Sequence, residues 1–133
     1  MLKKRLIYLL PFDSGVFCRT KEFNPDYRYT STFIDANYAD ELILVNVSRE
    51  KFCKSSFEAF LSTVLEISSR TFIPVTAGGG IYCKDQVKSL LEHGADKVII
   101  NSWMFNNFDK SLDDAILRFG SQCFIGSVDY RNT

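Results

Sequence analysis

A parallel α/β fold is what this sequence predicts, on three observations. The run Pro74-Val-Thr-Ala-Gly-Gly-Gly-Ile81 is a short apolar strand that ends in a glycine loop. The run Ala95-Asp-Lys-Val-Ile-Ile-Asn-Ser102 is a second short apolar strand, and it ends in an amide and a hydroxyl. Between them Lys84 to His93 reads as a helix that Gly94 stops. Strand, glycine loop, helix, strand, polar end is one unit of a parallel architecture, and such folds carry their ligands where the strands end. Glycines let the backbone approach a ligand closely and turn its N–H groups outward, which suits a phosphate. Asn101 and Ser102 add polar side chains at the neighbouring strand end.

The remaining elements alternate in the same way. Arg5 to Leu10 is a continuous apolar run, as expected of a strand covered on both faces. Phe12 to Thr30, with Gly15 and Pro25, reads as a long loop, and Ser31 to Tyr38 has room for a short helix only. Glu41 to Val47 is the second strand. Ser55 to Ser68 is the clearest helix, with Phe57, Phe60, Leu61, Val64 and Leu65 on one face at helical spacing. Phe72 to Thr76 is the third strand, and Val87, Leu90 and Leu91 mark the inner face of the helix after it. Leu112, Ala115, Ile116 and Phe119 do the same for the last helix, with Gly120 as its stop. Phe124 to Val128 is the fifth strand. No linker divides residues 1–133, so a single domain is expected. Ala39-Asp-Glu-Leu-Ile-Leu-Val-Asn46 echoes Ala95-Asp-Lys-Val-Ile-Ile-Asn101, in keeping with repeated βα units.

Composition bounds the function. Sixteen basic and sixteen acidic residues cancel, so no global field points to nucleic acid or a membrane surface. No apolar run approaches the ~18 residues of a membrane span. Met1-Leu-Lys-Lys-Arg followed by Leu6 to Leu10 has the charge order of a signal peptide. Its apolar run is five residues, however, it ends at Pro11, and no small-residue cleavage site follows. A buried first strand is the better reading. Cys18, Cys53, Cys83 and Cys123 are widely spaced with no Cys-x-x-Cys pair, which reads as four reduced thiols of a cytoplasmic protein. One histidine and scattered cysteines make no metal site, and no cofactor is expected.

Gly78-Gly-Gly-Ile81, Gly94-Ala-Asp-Lys-Val98, Ile100-Asn-Ser102 and Arg118-Phe-Gly-Ser-Gln-Cys123 together resemble the cyclase subunit of imidazole glycerol phosphate synthase. So do the opening Met1-Leu-Lys-Lys-Arg-Leu-Ile7 and Ala39-Asp-Glu-Leu42, and the resemblance runs to about Asp129. It implies a (β/α)8 TIM barrel that receives ammonia from a glutamine amidotransferase partner. The ammonia is used to split and cyclise a phosphorylated ribulosyl aminoimidazole carboxamide in histidine biosynthesis. A whole barrel needs ~250 residues. The expectation is therefore half a barrel, with four βα units and a fifth parallel strand, whose open edges and inner face offer a surface for self-association.

The resemblance also implies roles for particular residues. Asp129 stands at the family's carboxylate on the fifth strand, which serves as acid or base. Its counterpart at the end of the first strand is absent, because Pro11 occupies that position; Asp13, two residues on, is the candidate replacement. On the second strand Asn46 stands where the family usually has an aspartate. Gly78, Gly79, Gly80, Asn101 and Ser102 match residues that hold one phosphate of a two-phosphate substrate, and Arg19 matches a basic residue near it. At the opposite end Arg5, Glu41 and Lys97 match a ring of charges around the ammonia entrance, and Asp96 matches a contact to the partner. His93 falls at a helix end on that same side and reads as solvated. The expected function is a cyclase-like protein, divergent or incomplete, for which full activity alone is not expected. The alternatives are a paralogue supplying ammonia to a sugar nucleotide in surface-polysaccharide synthesis, or a non-catalytic remnant that binds phosphate or the partner.

Overall fold

A computed structural model describes residues 3–14, 16–17, 19–21, 24–26, 39–48 and 52–132, and of residues 16–17, 19–21 and 24–26 the backbone alone. The predicted short helix over Ser31 to Tyr38 and the thiol of Cys18 lie outside the described residues.

Five parallel strands form the body of the sheet: β1 (Ile7–Asp13), β5 (Glu41–Asn46), β6 (Val75–Gly78), β7 (Lys97–Ile100) and β8 (Phe124–Gly126). Helices α1 (Lys54–Arg70), α2 (Lys84–Glu92) and α4 (Ser111–Phe119) return the chain between successive strands from β5 onward. This is the arrangement of half a (β/α)8 barrel. A register row crosses the sheet through Pro11, Val45, Gly78, Ile99 and Ile125.

The segment expected to be one long loop contains strands instead. β1 runs on through Pro11 to Asp13, and β2 (Val16–Phe17) folds back antiparallel against it. Ser14, at φ +49°, follows the last residue of β1 and begins the turn. Beyond it β3 (Arg19–Lys21) and β4 (Asn24–Asp26) pair as a separate hairpin. Pro11 is tolerated inside β1 for a reason the register supplies. Val47 N–H donates to the Phe12 carbonyl (2.8 Å), so by alternation the backbone of Pro11 faces the other edge. There β2 pairs with Phe12 and Asp13, and among the described residues no strand faces the missing N–H.

The two faces of the sheet differ. Phe12, Leu42, Leu44, Val98 and Ile100 are buried under the helices, against Phe60 and Val64 of α1, Val87 and Leu90 of α2 and Ala115 of α4. The Phe12 and Phe60 rings meet with centroids 5.4 Å apart. On the other face Ile7 and Leu9 are 44% and 56% exposed, so the first strand is not covered on both sides as its apolar run suggested. That face is the interior side of the half-barrel.

Local signals end the helices as expected. Gly94, at φ +100°, closes α2 in a Schellman arrangement, with Ala95 N–H on the Leu90 carbonyl (3.1 Å) and Gly94 N–H on that of Leu91 (3.2 Å). A one-turn helix α3 (Ser102–Phe105), too short to show a period, was not anticipated. It is anchored by Trp103, which is buried and donates its indole N–H to Ser111 Oγ at the start of α4 (2.9 Å).

The sequence echo has a structural basis. Asp40 N–H donates to the Leu6 carbonyl (2.7 Å) and its carboxylate accepts the Leu6 N–H (2.7 Å). Asp96 repeats the pattern on Val75, with bonds of 2.7 and 2.8 Å. In both places a buried alanine, Ala39 or Ala95, precedes the aspartate.

Candidate functional site

Parallel strands bring their C-terminal ends to one rim, and the chemistry-bearing residues gather there. The three glycines of the β6–α2 connection serve different purposes. A Cβ on Gly78 would collide with the Ile99 carbonyl, so its absence lets β6 and β7 lie together. Gly79 takes φ +109°, and a Cβ there would collide with the Asn46 backbone, while Gly80 takes φ +70°. Among the described residues no acceptor meets the Gly80 N–H. That leaves a backbone donor at the rim for an anion.

At the next two strand ends Asn101 and Asp129 come together. Asn101 Nδ2 donates to Asp129 Oδ2 at 2.7 Å. Asn101 follows the last residue of β7, and Asp129 lies three residues past the end of β8. Both fall on the parity of the interior face, with Ile99 and Ile125. The amide fixes one carboxylate oxygen, and among the described residues the other has no partner. Such an oxygen can take or return a proton of a bound molecule. Ser102, exposed, opens α3 beside this pair.

The first two strand ends are built differently. Pro11 lies in the interior row, opposite Val45. Asp13 shares its face two residues nearer the rim, half-buried, and accepts a hydrogen bond from Ser14 Oγ (2.9 Å). Asn46 does not join the interior face. It shares the helix-facing side of Leu42 and Leu44 and is 1% exposed. Its Oδ1 accepts the Ser48 N–H (3.1 Å), which settles the orientation of the amide, and its Nδ2 has no partner. Arg19 sits in β3 opposite Asp26, and its side chain lies outside the described residues.

At the strands' N-terminal ends Arg5 and Glu41 form an ion pair, with the Glu41 side chain 14% exposed and that of Arg5 56%. Lys97 is exposed and has no ion-pair partner among the described residues. Asp96 is committed to the Val75 N–H. His93 caps α2, half-buried, its Nδ1–H on the Ser89 carbonyl (2.6 Å). Among the described residues no cluster of three or more His, Cys, Asp or Glu could hold a metal, and no helix is long and apolar enough to cross a membrane. Asp109, on the connection into α4, is held below the usual carboxylate range by the Ser111 N–H it accepts. It belongs to the helix start, not to the rim.

Sequence reasoning overlooked one pair of rim residues. Phe52 and Tyr82 precede α1 and α2, and their rings meet there with centroids 5.9 Å apart. A signal was available: the triplet aromatic-Cys-Lys occurs at 52–54 and again at 82–84.

Comparison with known proteins agrees with this architecture. The family model described as histidine biosynthesis protein matches residues 12–133. The chain is 35% identical to the imidazole glycerol phosphate synthase subunit HisF of Staphylococcus carnosus, over 97% of this chain and 51% of that protein. It is 30% identical to a protein of Parasynechococcus marenigrum provisionally named imidazole glycerol phosphate synthase subunit hisF2, over 99% of this chain and 51% of the relative. A HisF subunit of Staphylococcus saprophyticus is 33% identical over 97% and 52%. The chain thus spans about half the length of the curated relatives it matches. A glycine loop, an asparagine–aspartate pair and parallel strand ends sharing one rim therefore sit within a recognised lineage: the chain belongs to the histidine biosynthesis protein family.

Proposed function

We propose that this chain acts as the N-terminal half of a cyclase of the imidazole glycerol phosphate synthase type. In this reading Gly78, Gly79, Gly80, Asn101 and Ser102 hold one phosphate of the substrate, with Arg19 near it. Asp129, aimed by Asn101, moves the proton. The observation that carries the proposal is the 2.7 Å bond between Asn101 and Asp129 beside the glycine loop. A substrate phosphate at the loop would meet the Gly80 amide, and its reacting centre would lie near an oriented carboxylate. Asp13, at the end of β1, supplies the second proton-transfer group in this reading.

The opposite rim is the side proposed for ammonia delivery and for a glutamine amidotransferase subunit. The Arg5–Glu41 pair and the unpaired Lys97 would line the entrance. Asp96, exposed although its carboxylate clamps β6, would face the partner.

A second reading is favoured by Pro11. A proline in the interior row cannot transfer protons, and a different ammonia acceptor, such as a sugar nucleotide, would not require the family's carboxylate there. The test is ammonia- and glutamine-dependent turnover of the ribulosyl aminoimidazole carboxamide substrate, by the purified chain alone and with a glutaminase subunit. Cyclisation supports the first reading. Folded protein that binds phosphate but gives no turnover sinks it and leaves the paralogue or a non-catalytic remnant that binds phosphate or the partner.

A further inference from the structure

Trp103 is the chain's sole tryptophan, and it is 4% exposed within a helix of four residues, α3. A single turn does not hold itself in water, because forming it fixes several backbone dihedrals for one hydrogen bond. Something outside the turn has to keep it folded. The buried indole does so, with its ring in the core and its N–H on Ser111 Oγ at 2.9 Å. The acceptor is itself a fixed point. Ser111 N–H donates to Asp109 Oδ1 (3.1 Å), and the N–H of Leu112, next in α4, donates to Asn107 Oδ1 (2.9 Å). Leu112 is buried, so the start of α4 is seated on the core.

What α3 holds in turn is the candidate site. Asn101 immediately precedes α3, and its carbonyl accepts the Met104 N–H (3.0 Å), so its backbone belongs to the same turn. On the strand side Ser127, two residues before Asp129, donates its N–H to the Ile100 carbonyl (2.8 Å). Met104 lies over β8, where a Cβ on Gly126 would come within 2.9 Å of its sulfur. That contact is apolar and without direction, whereas the indole bond fixes how the turn is rotated. The rotation of the turn decides where the Asn101 amide points, and that amide meets Asp129 Oδ2 at 2.7 Å. Asn101 is half-buried, which leaves water as a competitor for this bond.

We propose that Trp103 is a positioning residue: through its bond to Ser111 it sets the turn from which Asn101 aims Asp129. The inference rests on the proton-transfer role proposed for Asp129 and adds the element that orients it. Trp103 touches no substrate in this account and acts through Asn101.

The first test needs no turnover. The side-chain amide of Asn101 gives a nitrogen-15 NMR signal that Asn101→Ala identifies by its loss, and Asp129→Ala marks where it lies once the bond is gone. In Trp103→Phe, which keeps an apolar ring and deletes the N–H, the signal is expected to move toward the Asp129→Ala position. Ser111→Ala should do the same, and Ser111→Thr, which keeps the hydroxyl, should leave the signal where wild type has it. Circular dichroism checks the fold; if Trp103→Phe is unfolded, the two Ser111 variants carry the comparison. The second test is a double-mutant cycle on kcat, in the turnover assay with a glutaminase subunit. Trp103→Phe is expected to lower kcat on the order of threefold, and to have no effect in an Asn101→Ala background, because both changes break the same link. A merely structural role would lower kcat equally in the two backgrounds. That equality overturns the proposal, as does an Asn101 signal that stays at its wild-type position in folded Trp103→Phe and Ser111→Ala. Absence of turnover from protein whose signal shifts as expected sinks the cyclase reading and leaves the positioning of Asp129 by Trp103 standing. A signal that Asp129→Ala does not move means the pair is not formed, and the proposal falls with it.

Discussion

The strand ends on the two sides of the sheet have been put to different uses. On the β7–β8 side, Asn101 and Asp129 share the interior parity and a 2.7 Å hydrogen bond at the rim. On the β1–β5 side the interior position is Pro11, and Asn46 is turned under the helices with its Oδ1 on the Ser48 N–H. One side joins two polar side chains across neighbouring strand ends, and the other bonds Asp13 and Asn46 to residues that closely follow them in the chain. A family resemblance that covers the whole chain therefore does not imply that chemistry is spread evenly around it. The polar side chains of two neighbouring strand ends meet on the β7–β8 side.

Substitutions can break or sharpen this contrast. In the turnover assay with a glutaminase subunit, Asp129→Asn is expected to lower kcat by about 10²–10⁴-fold, since it removes the proposed acid–base group. Its melting temperature should stay near that of wild type because the residue is exposed. Unchanged kcat would end the assignment. Pro11→Asp returns a carboxylate to the interior row on the other side. Turnover of the ribulosyl aminoimidazole carboxamide should rise on the order of tenfold or more, and no gain would mean that the β1 side has diverged beyond this one position. Asn101→Ala releases Asp129 from its orienting bond without removing it. A fall in kcat on the order of tenfold is expected, with a smaller change from Asn101→Ser, measured under the same conditions. The smallest effect belongs to Asn46→Ala. It gives up the bond to Ser48 but also removes an amide nitrogen that has no acceptor, so urea unfolding should show a change within about 1 kcal/mol.

Much of this organisation was legible in the sequence because it rests on local rules. Phe60, Leu61 and Val64 announce α1 by spacing, and Gly94 announces the end of α2 because the left-handed turn there favours glycine. The glycine loop and the polar ends of β7 and β8 were visible as motifs. What was missed depends on partners remote in sequence. Pro11 looked like a strand end, yet β1 passes through it with its backbone turned away from β5, where among the described residues no strand needs its N–H. Asn46 looked like a rim residue, but strand parity turns it inward beneath α1. α3 offered no period to detect, since its hold on the fold is a single indole reaching Ser111. The contact of Phe52 with Tyr82 was hidden for a different reason: each ring alone is an ordinary exposed residue, and only the fold brings the two connections together.

The aspartate clamps at the strands' N-terminal ends carry a lesson about how such a chain could be assembled. Asp40 ties β5 to the start of β1, and Asp96 ties β7 to the start of β6, each with two reciprocal hydrogen bonds. Between β5 and β6 the corresponding contact is the single bond from Leu42 N–H to the Pro74 carbonyl (3.0 Å). A slip of one residue within either pair would forfeit both bonds of its clamp and would turn every side chain to the wrong face. Across the β5–β6 joint the start of the strand carries no such lock. The molecule thus has a grain, two-strand cassettes whose internal alignment is self-contained, with a natural seam between them where duplication, fusion or exchange of segments would disturb least.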